Sequence, residues 1–367
     1  MTSCPAASSS MSTVRPRCSC QSRNVDDGCF SAVPGGVGVT GCVIKNYQPH
    51  GNLARILWEK QKADERLRTY DKTRWYRVDK TKIREDILKL WKPLGVGERK
   101  DQPDKSAEDF LARSANKSDS LLLQVWHSLA TSALSWFITR TSINGLLGRG
   151  SMHVFSTEQF LKLMDASGFR GPWDTVVDLG AGDGATTAHI SHLFKKVYAT
   201  DVSAPMRWAL AKRKFTVLNV NDWDKMGPFN VILCLNLLDR CDRPNTLLTQ
   251  LRDTLAPGGR LVVALVLPFS PYVETGERGD HKPMEYLPIR GFGLEEQVAT
   301  VIDRVFKPVG LRCLVWSKLP YLCEGDLRQA YCFLEDVIFV LEAEEGTEQR
   351  IKEPIIENER TDCDKKD

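Results

Sequence analysis

No one sign of charge dominates this chain. Its 50 Lys and Arg residues face 47 Asp and Glu, a formal charge of +3 over 367 residues. Charge alone therefore names neither a nucleic-acid nor a membrane binder. Histidine is scarce, six in all. His189 and His192 share one helical stretch without a third ligand nearby, so packing or surface roles are expected and no metal. The 11 cysteines are odd in number and scattered, which excludes the disulfide framework of a small secreted domain. Cys18-Ser-Cys20 has no partner pair at zinc-finger spacing. Cys234, Cys241, Cys313, Cys323 and Cys332 sit among apolar residues and read as buried free thiols of a reducing compartment, hence an intracellular, cytoplasmic protein. The opening MTSCPAASSSMSTVRPRCSC lacks the apolar core of a cleavable signal, so none is expected. A 42% apolar content excludes collagen-like, mucin-like and wholly disordered classes.

One apolar run approaches membrane length, Leu121 to Ile138. Gln124, Ser128, Thr131 and Ser135 recur along it every three or four positions and form a polar stripe. A helix packed against a domain is expected, and no membrane span. Residues 1–50 are rich in Ser, Gly and Cys without periodicity and are expected to be disordered. Residues 51–120 read as a charged helical extension, in which acids alternate with bases and argue for a solvated face rather than a nucleic-acid surface. The main domain spans 121–341, and 342–367 form an acidic disordered tail.

Within the domain, strands alternate with helices. The predicted strands are Thr175–Gly180, Lys196–Asp201, Thr216–Val220, Asn230–Asn236, Arg260–Pro268, Leu311–Leu319 and Cys332–Leu341. Helices are predicted over Ala185–Phe194, from a Ser203 cap, over Asn245–Leu255 as far as an APGG turn, and near Glu295–Phe306. This pattern predicts an α/β fold with a Rossmann-like, seven-stranded, mostly parallel sheet covered on both faces. The last two strands lack room for a crossover helix, which predicts an antiparallel final pair.

The informative stretch is VVDLGAGDGATT. A strand ends in Asp178, and Gly180, Gly182 and Gly184 follow at alternate positions. Open α/β sheets bind ligands beyond the carboxyl ends of their strands, and glycine lets the backbone lie against them. The spacing departs from the dinucleotide pattern G-x-G-x-x-G. The acids Asp178 and Asp183 disfavour a pyrophosphate and favour an ammonium or sulfonium. Asp201, ending the second strand, suits ribose hydroxyls. A cationic amino acid joined to a ribose describes S-adenosylmethionine, and the arrangement resembles the class I methyltransferases.

A closer resemblance rests on TRTSINGLLGRGSM (Thr139–Met152), CLNLLDRCD (Cys234–Asp242), ALVLPFSPYVE (Ala264–Glu274) and LPYLCEGD (Leu319–Asp326). Together they resemble the methyltransferase-like protein 9 family of protein-histidine N-pros-methyltransferases. The resemblance implies methylation of the pros (Nδ1) nitrogen in His-x-His sequences with small x. It implies that Asp178, Gly180 and Gly182 hold the methionine end of the cofactor and that Asp201 replaces a family glutamate at the ribose. Asn236 and Tyr321 are placed beside the cofactor. Asp239, three residues after Asn236, would face the substrate: a carboxylate accepting the tele N–H leaves the pros lone pair free and can later receive the proton. Asn236 would position the ring.

Thr139–Met152 reads as a lid or as a structural brace, with Arg140 and Arg149 steadying it. His153 is expected to be packed, and Cys234 and Cys241 to be core thiols. The chain has no His-x-His of its own, so automethylation is not expected. Substrates would be proteins or peptides, with no nucleic acid. Family analogy adds endoplasmic-reticulum or mitochondrial association to the cytoplasmic expectation. RNA or small-molecule methylation, and a non-catalytic adaptor, stay open as alternatives.

Overall fold

The computed structural model describes residues 49–134, 143, 147–274, 276 and 279–344. The expected disorder of 1–50 and most of the tail beyond 341 lie outside these residues. So do Arg140, Asn144 and Gly145 of the Gly-rich segment.

The central sheet is built from near-continuous apolar runs. Strands β2 (Thr175–Leu179), β5 (Phe229–Leu235) and β6 (Leu255–Val266) are almost wholly buried, as parallel strands covered on both faces must be. With β3 (Lys196–Thr200) and β4 (Thr216–Val217) they form the parallel half. The long strands β7 (Leu311–Asp326) and β8 (Gln329–Ala343) are antiparallel to each other, as predicted, because Asp326 pairs with Gln329 across a turn too short for any crossover. β8 also pairs antiparallel with β6.

The sheet has eight strands rather than seven, in the order β1-β7-β8-β6-β5-β2-β3-β4. The extra strand is β1 (Met152–His153), which lies antiparallel on Cys323 and Leu322. Two residues give no periodicity to read, so the pattern could not announce it. Residues Thr216–Val220 yield only a two-residue strand. The APGG segment, expected as a turn ahead of the strand at Arg260, lies inside β6. Leu255 already pairs with Phe229 and Arg260 pairs with Val231, so the residues between bulge out of β6. Gly258 takes φ +70°, and a Cβ on Gly259 would lie 2.8 Å from the Ala256 carbonyl oxygen.

Two apolar layers cover the faces. One gathers Trp223, Phe229, Leu251, Phe306, Trp316 and Phe339. The other gathers Trp75, Tyr76, Phe155, Phe160, Val231 and Val340. The N-terminal extension therefore contributes to the core, and Trp75 and Tyr76 from its basic, aromatic stretch are buried. Its first helix, α1 (Asn52–Thr69), is largely exposed, but Lys60 is buried between Asp64 and Asp119 at 2.5 and 2.7 Å. The Asp64 carboxylate also accepts the Ala330 amide at 2.8 Å, which ties the extension to β8.

Helix α2 (Glu85–Lys89) is held similarly, because the buried Trp316 donates its indole N–H to the Ile87 carbonyl at 2.8 Å. Trp316→Phe removes this hydrogen bond, leaving the Ile87 carbonyl to the Leu90 amide alone, and opens a small void, so unfolding free energy should fall by roughly 1–3 kcal/mol. Urea denaturation checks this as a lower midpoint at unchanged slope.

Helix α3 (Lys105–Asp119) is capped by the Asp104 carboxylate on the Ala107 amide. Helix α4 (Leu121–Leu134) follows it and is set down polar side inward. Gln124 and His127 are buried, while Leu122, Trp126 and Leu129 are 87%, 61% and 64% exposed. The cause is local: Gln124 Nε2 donates to the Lys117 carbonyl at 2.9 Å, satisfying an orphan group near the end of α3. Among the described residues no helix is long and apolar enough to cross a membrane.

Candidate active site

The Gly-rich turn leaves β2 at its carboxyl end. Gly180, Gly182 and Gly184 take φ of +67°, +58° and +73°, which L side chains rarely adopt. At Gly180 a Cβ would also stand 2.9 Å from Leu237, so turn and following segment meet without side chains between them. Gly184 then caps helix α6 (Ala185–Ile190), the helix after α5 (Thr157–Ala166).

Asp178 is buried and accepts the Thr187 hydroxyl at 2.5 Å. Burial, with a smaller push from the Asp201 charge, raises its carboxyl to about 7. Asp201 lies at the end of β3, where one oxygen accepts the Gly182 amide at 3.0 Å and the other the Ser203 amide at 2.7 Å. It fixes the turn to β3 and keeps spare lone pairs on both oxygens. Burial raises its carboxyl too.

Asp183 stands in the turn between Gly182 and Gly184, where its carboxylate accepts the Ala185 amide at 2.9 Å and lies 3.7 Å from Arg213 Nη2. Asp201 is the acid whose charge acts on Asp178.

Beyond β5, Asn236 takes φ +52° and donates its amide N–H to Ala264 at 3.0 Å. Its side-chain Nδ2 donates to Asp336 Oδ2 at 2.9 Å. Asp336 is fully buried in the middle of β8, opposite Leu319 of β7 and Val266, the last residue of β6. Burial pushes its carboxyl up to about 7, and the Asp239 charge adds to this. Asp239 is 5% exposed, with one oxygen 3.1 Å from Arg240 Nε and its carboxyl raised by burial. Its carbonyl accepts the Tyr272 amide at 2.8 Å.

Asn236 Oδ1, Asp239 Oδ1 and Asp336 Oδ1 are buried acceptors without a donor among the described residues. Tyr321, on β7, is within the field of Asp336 and Asp239, and burial raises its phenol far above the ordinary range. Its hydroxyl donates to the Met152 sulfur. The Met152 methyl in turn lies 3.8 Å from where a Cβ on Gly182 would be. The last residue of the Gly-rich Thr139–Met152 segment thus stands between Tyr321 and the turn.

A family model described as DREV methyltransferase matches residues 96–343. The chain belongs to the DREV methyltransferase family. The Gly turn, Asp201, Asn236, Asp239, Tyr321 and Asp336 all fall inside the DREV match. Proteins described as protein-L-isoaspartate O-methyltransferase are also similar. The one from Pseudomonas syringae pv. tomato is 32% identical over 104 residues, covering 25% of this chain and 46% of its own. The one from Hahella chejuensis is 33% identical over 99 residues, covering 24% and 44%. The chain thus spans less than half the length of these curated relatives.

Among solved structures, the N-methyltransferase NodS from Bradyrhizobium japonicum with S-adenosyl-L-homocysteine is 18% identical at a TM-score of 0.31. It covers 50% of this chain and 86% of its own. A S-adenosylmethionine-dependent methyltransferase from Clostridium acetobutylicum is 12% identical at 0.34, covering 60% and 98%.

Two residues of the DREV site escaped the sequence reading. Thr187 is an ordinary helical threonine until the fold brings it to Asp178. Asp336 did leave a signal, an acid inside the apolar strand CFLEDVIFVL. His153 is packed as expected: it is buried, with Nε2 3.1 Å from Ser106 Oγ and its ring pushed down to about 4 by burial. His189 stands 5.5 Å from it ring to ring. Cys234 and Cys241 are free thiols whose pKa burial raises.

Proposed function

We propose that this DREV-family methyltransferase transfers a methyl group from S-adenosylmethionine to the pros nitrogen of a protein histidine, in His-x-His sequences of the kind its motifs resemble. The cofactor fits the residues present. Two buried acids stand at strand ends beside a turn whose backbone comes up bare of side chains, which suits a cationic amino acid and a ribose. Asp178 and the bare Gly180–Gly182 turn would take the methionine end, and Asp201 the ribose hydroxyls. Bound there, S-adenosylmethionine supplies an electrophilic methyl group.

The observation that carries the substrate reading is the shortage of donors next to that turn. Three buried acceptor oxygens, on Asn236, Asp239 and Asp336, have no partner among the described residues, and each such group costs about 1–3 kcal/mol while unpaired. A methyl acceptor that brings N–H groups relieves this cost. A carboxylate acceptor such as isoaspartate brings only oxygens and meets buried acids. Neutral imidazole has one N–H and one lone pair. Asp239 accepts the tele N–H, so the lone pair rests on the pros nitrogen, and the same carboxylate stabilises the imidazolium product and takes its proton. Holding nitrogen, methyl and sulfur in line supplies much of the acceleration.

The test is transfer from labelled S-adenosylmethionine to Ala-His-Ala-His-Ala, with single-His peptides, an isoaspartyl peptide and an RNA oligonucleotide alongside. Hydrolysis separates pros- from tele-methylhistidine. Label in pros-methylhistidine is the expected result. Label only in the isoaspartyl peptide or the RNA overturns the reading, and so does tele-methylhistidine.

A further inference from the structure

We propose that Asp336 is a positioning residue of this reaction, acting through Asn236. The inference deepens the histidine reading and rests on it for the identity of the acceptor. A carboxamide has two ends of nearly equal shape, one that donates and one that accepts. Which end meets the substrate decides whether the site wants a donor or a lone pair. In this chain Asp336 settles the choice. Its Oδ2 takes Asn236 Nδ2 at 2.9 Å, and in its ionised form the carboxylate can receive the NH2 end but not the oxygen. Asn236 Oδ1 is thereby left as the end without a partner.

The backbone supports the same orientation. Asn236 is held at φ +52° with its amide bonded to the Ala264 carbonyl, so the side chain departs from a fixed base. Asp336 is held by the sheet itself, between Leu319 and Val266 in adjoining strands. It is 0% exposed, so no water competes for the amide. Placing a carboxyl there is costly. Asn236 is the side-chain partner that lowers this cost, and its bond to Asp336 opposes the effect of burial on the carboxyl. A role in packing alone would be served better by an apolar residue of the kind that fills Val337–Leu341 after it.

With Asn236 Oδ1 fixed as an acceptor, the imidazole can enter only with an N–H toward it or toward Asp239. The pros lone pair is then free to face the methyl group. Removing the charge from Asp336 removes the bias, because Asn at 336 can offer either an oxygen or an NH2 to Asn236. The carboxamide then also populates the reversed state, which presents a donor to the lone pair that must react.

The experiment is a double-mutant cycle of Asp336→Asn and Asn236→Ala, scored as kcat for peptide methylation, with cofactor affinity measured by calorimetry as a check on folding. Asp336→Asn should lower kcat at least tenfold and leave cofactor affinity within about twofold. Added to Asn236→Ala, it should cost nothing further. A full multiplicative loss in the double variant would show that Asp336 acts independently of Asn236, and an unchanged kcat in the single variant would show that it does not act at all; either overturns the proposal. A substrate-independent readout separates this from failure of the histidine reading. The Asn236 carboxamide ¹⁵N resonance, assigned by its absence in Asn236→Ala, should shift and lose exchange protection in Asp336→Asn. If the wild type methylates no histidine peptide, that resonance decides: a shift sustains the orienting role of Asp336, and no change overturns it.

Discussion

Replacing Asp178 with Ala should lower cofactor affinity about 100-fold or more, which calorimetry with S-adenosylhomocysteine measures directly. The expectation follows from burial. Asp178 lies at 2% exposure with one oxygen on Thr187, so a cationic ligand meets its charge with little water between them, where a lost charged partner costs several kcal/mol. The pH dependence has a definite sign. The free carboxyl stands at about 7, and a bound cation lowers it, so binding releases a proton below that value. Affinity should rise with pH up to about 7 and level off above. The apoprotein should show the opposite trend. A carboxyl raised by folding gives stability that is full below its unfolded value and lost as pH rises through about 7. Asp178→Asn should therefore melt higher than the wild type at pH 8, with the gap closing toward pH 5, even as it binds ligand more weakly. Affinity retained in Asp178→Ala would remove the turn from the cofactor assignment.

Asp239→Asn should reduce pros-methyl transfer by about 10²–10⁴-fold at saturating cofactor, with cofactor affinity unchanged. Asp239 holds Arg240 on one oxygen and has no partner on the other among the described residues. The substitution keeps the size of the side chain and replaces one acceptor by an NH2 group. That group can meet the imidazole only at a lone pair, which selects the wrong tautomer and leaves the product proton without a base. Single-turnover transfer to the His-x-His peptide, followed by methylhistidine analysis, reads both effects. Equal rates in variant and wild type would assign the proton to another group.

Much of the fold was legible because its signals are local. Apolar runs ending in Asp178 and Asp201, three alternate glycines and a short final hairpin each state their meaning within a dozen residues. The sheet's eighth strand was illegible for the opposite reason, since Met152–His153 become a strand only by lying on β7. The site divides similarly. Asp178, Asp201 and Asn236 stand at strand ends and could be named from position. Asp183 looked like an equal of Asp178, and only the fold shows Arg213 claiming it. Asp336 was passed over because its meaning depends on a partner 100 residues earlier. Of the polar stripe read on α4, Gln124 is buried and Ser128 is exposed, with His127 buried instead; a wheel of residues does not say which side faces home, and the Gln124 bond to the Lys117 carbonyl helps to fix it.

The position of β8 between β6 and β7 also has a temporal consequence. Synthesis delivers β8 after every other strand, yet it occupies an interior place in the sheet. Until the β7–β8 hairpin docks, β6 has an open edge and the growing chain lacks Asp336. A ribosome-bound fragment can thus form its Gly turn with Asp178 and Asp201 early, while Asp336, the partner of Asn236, arrives last. Maturation of the catalytic centre is tied to closure of the sheet.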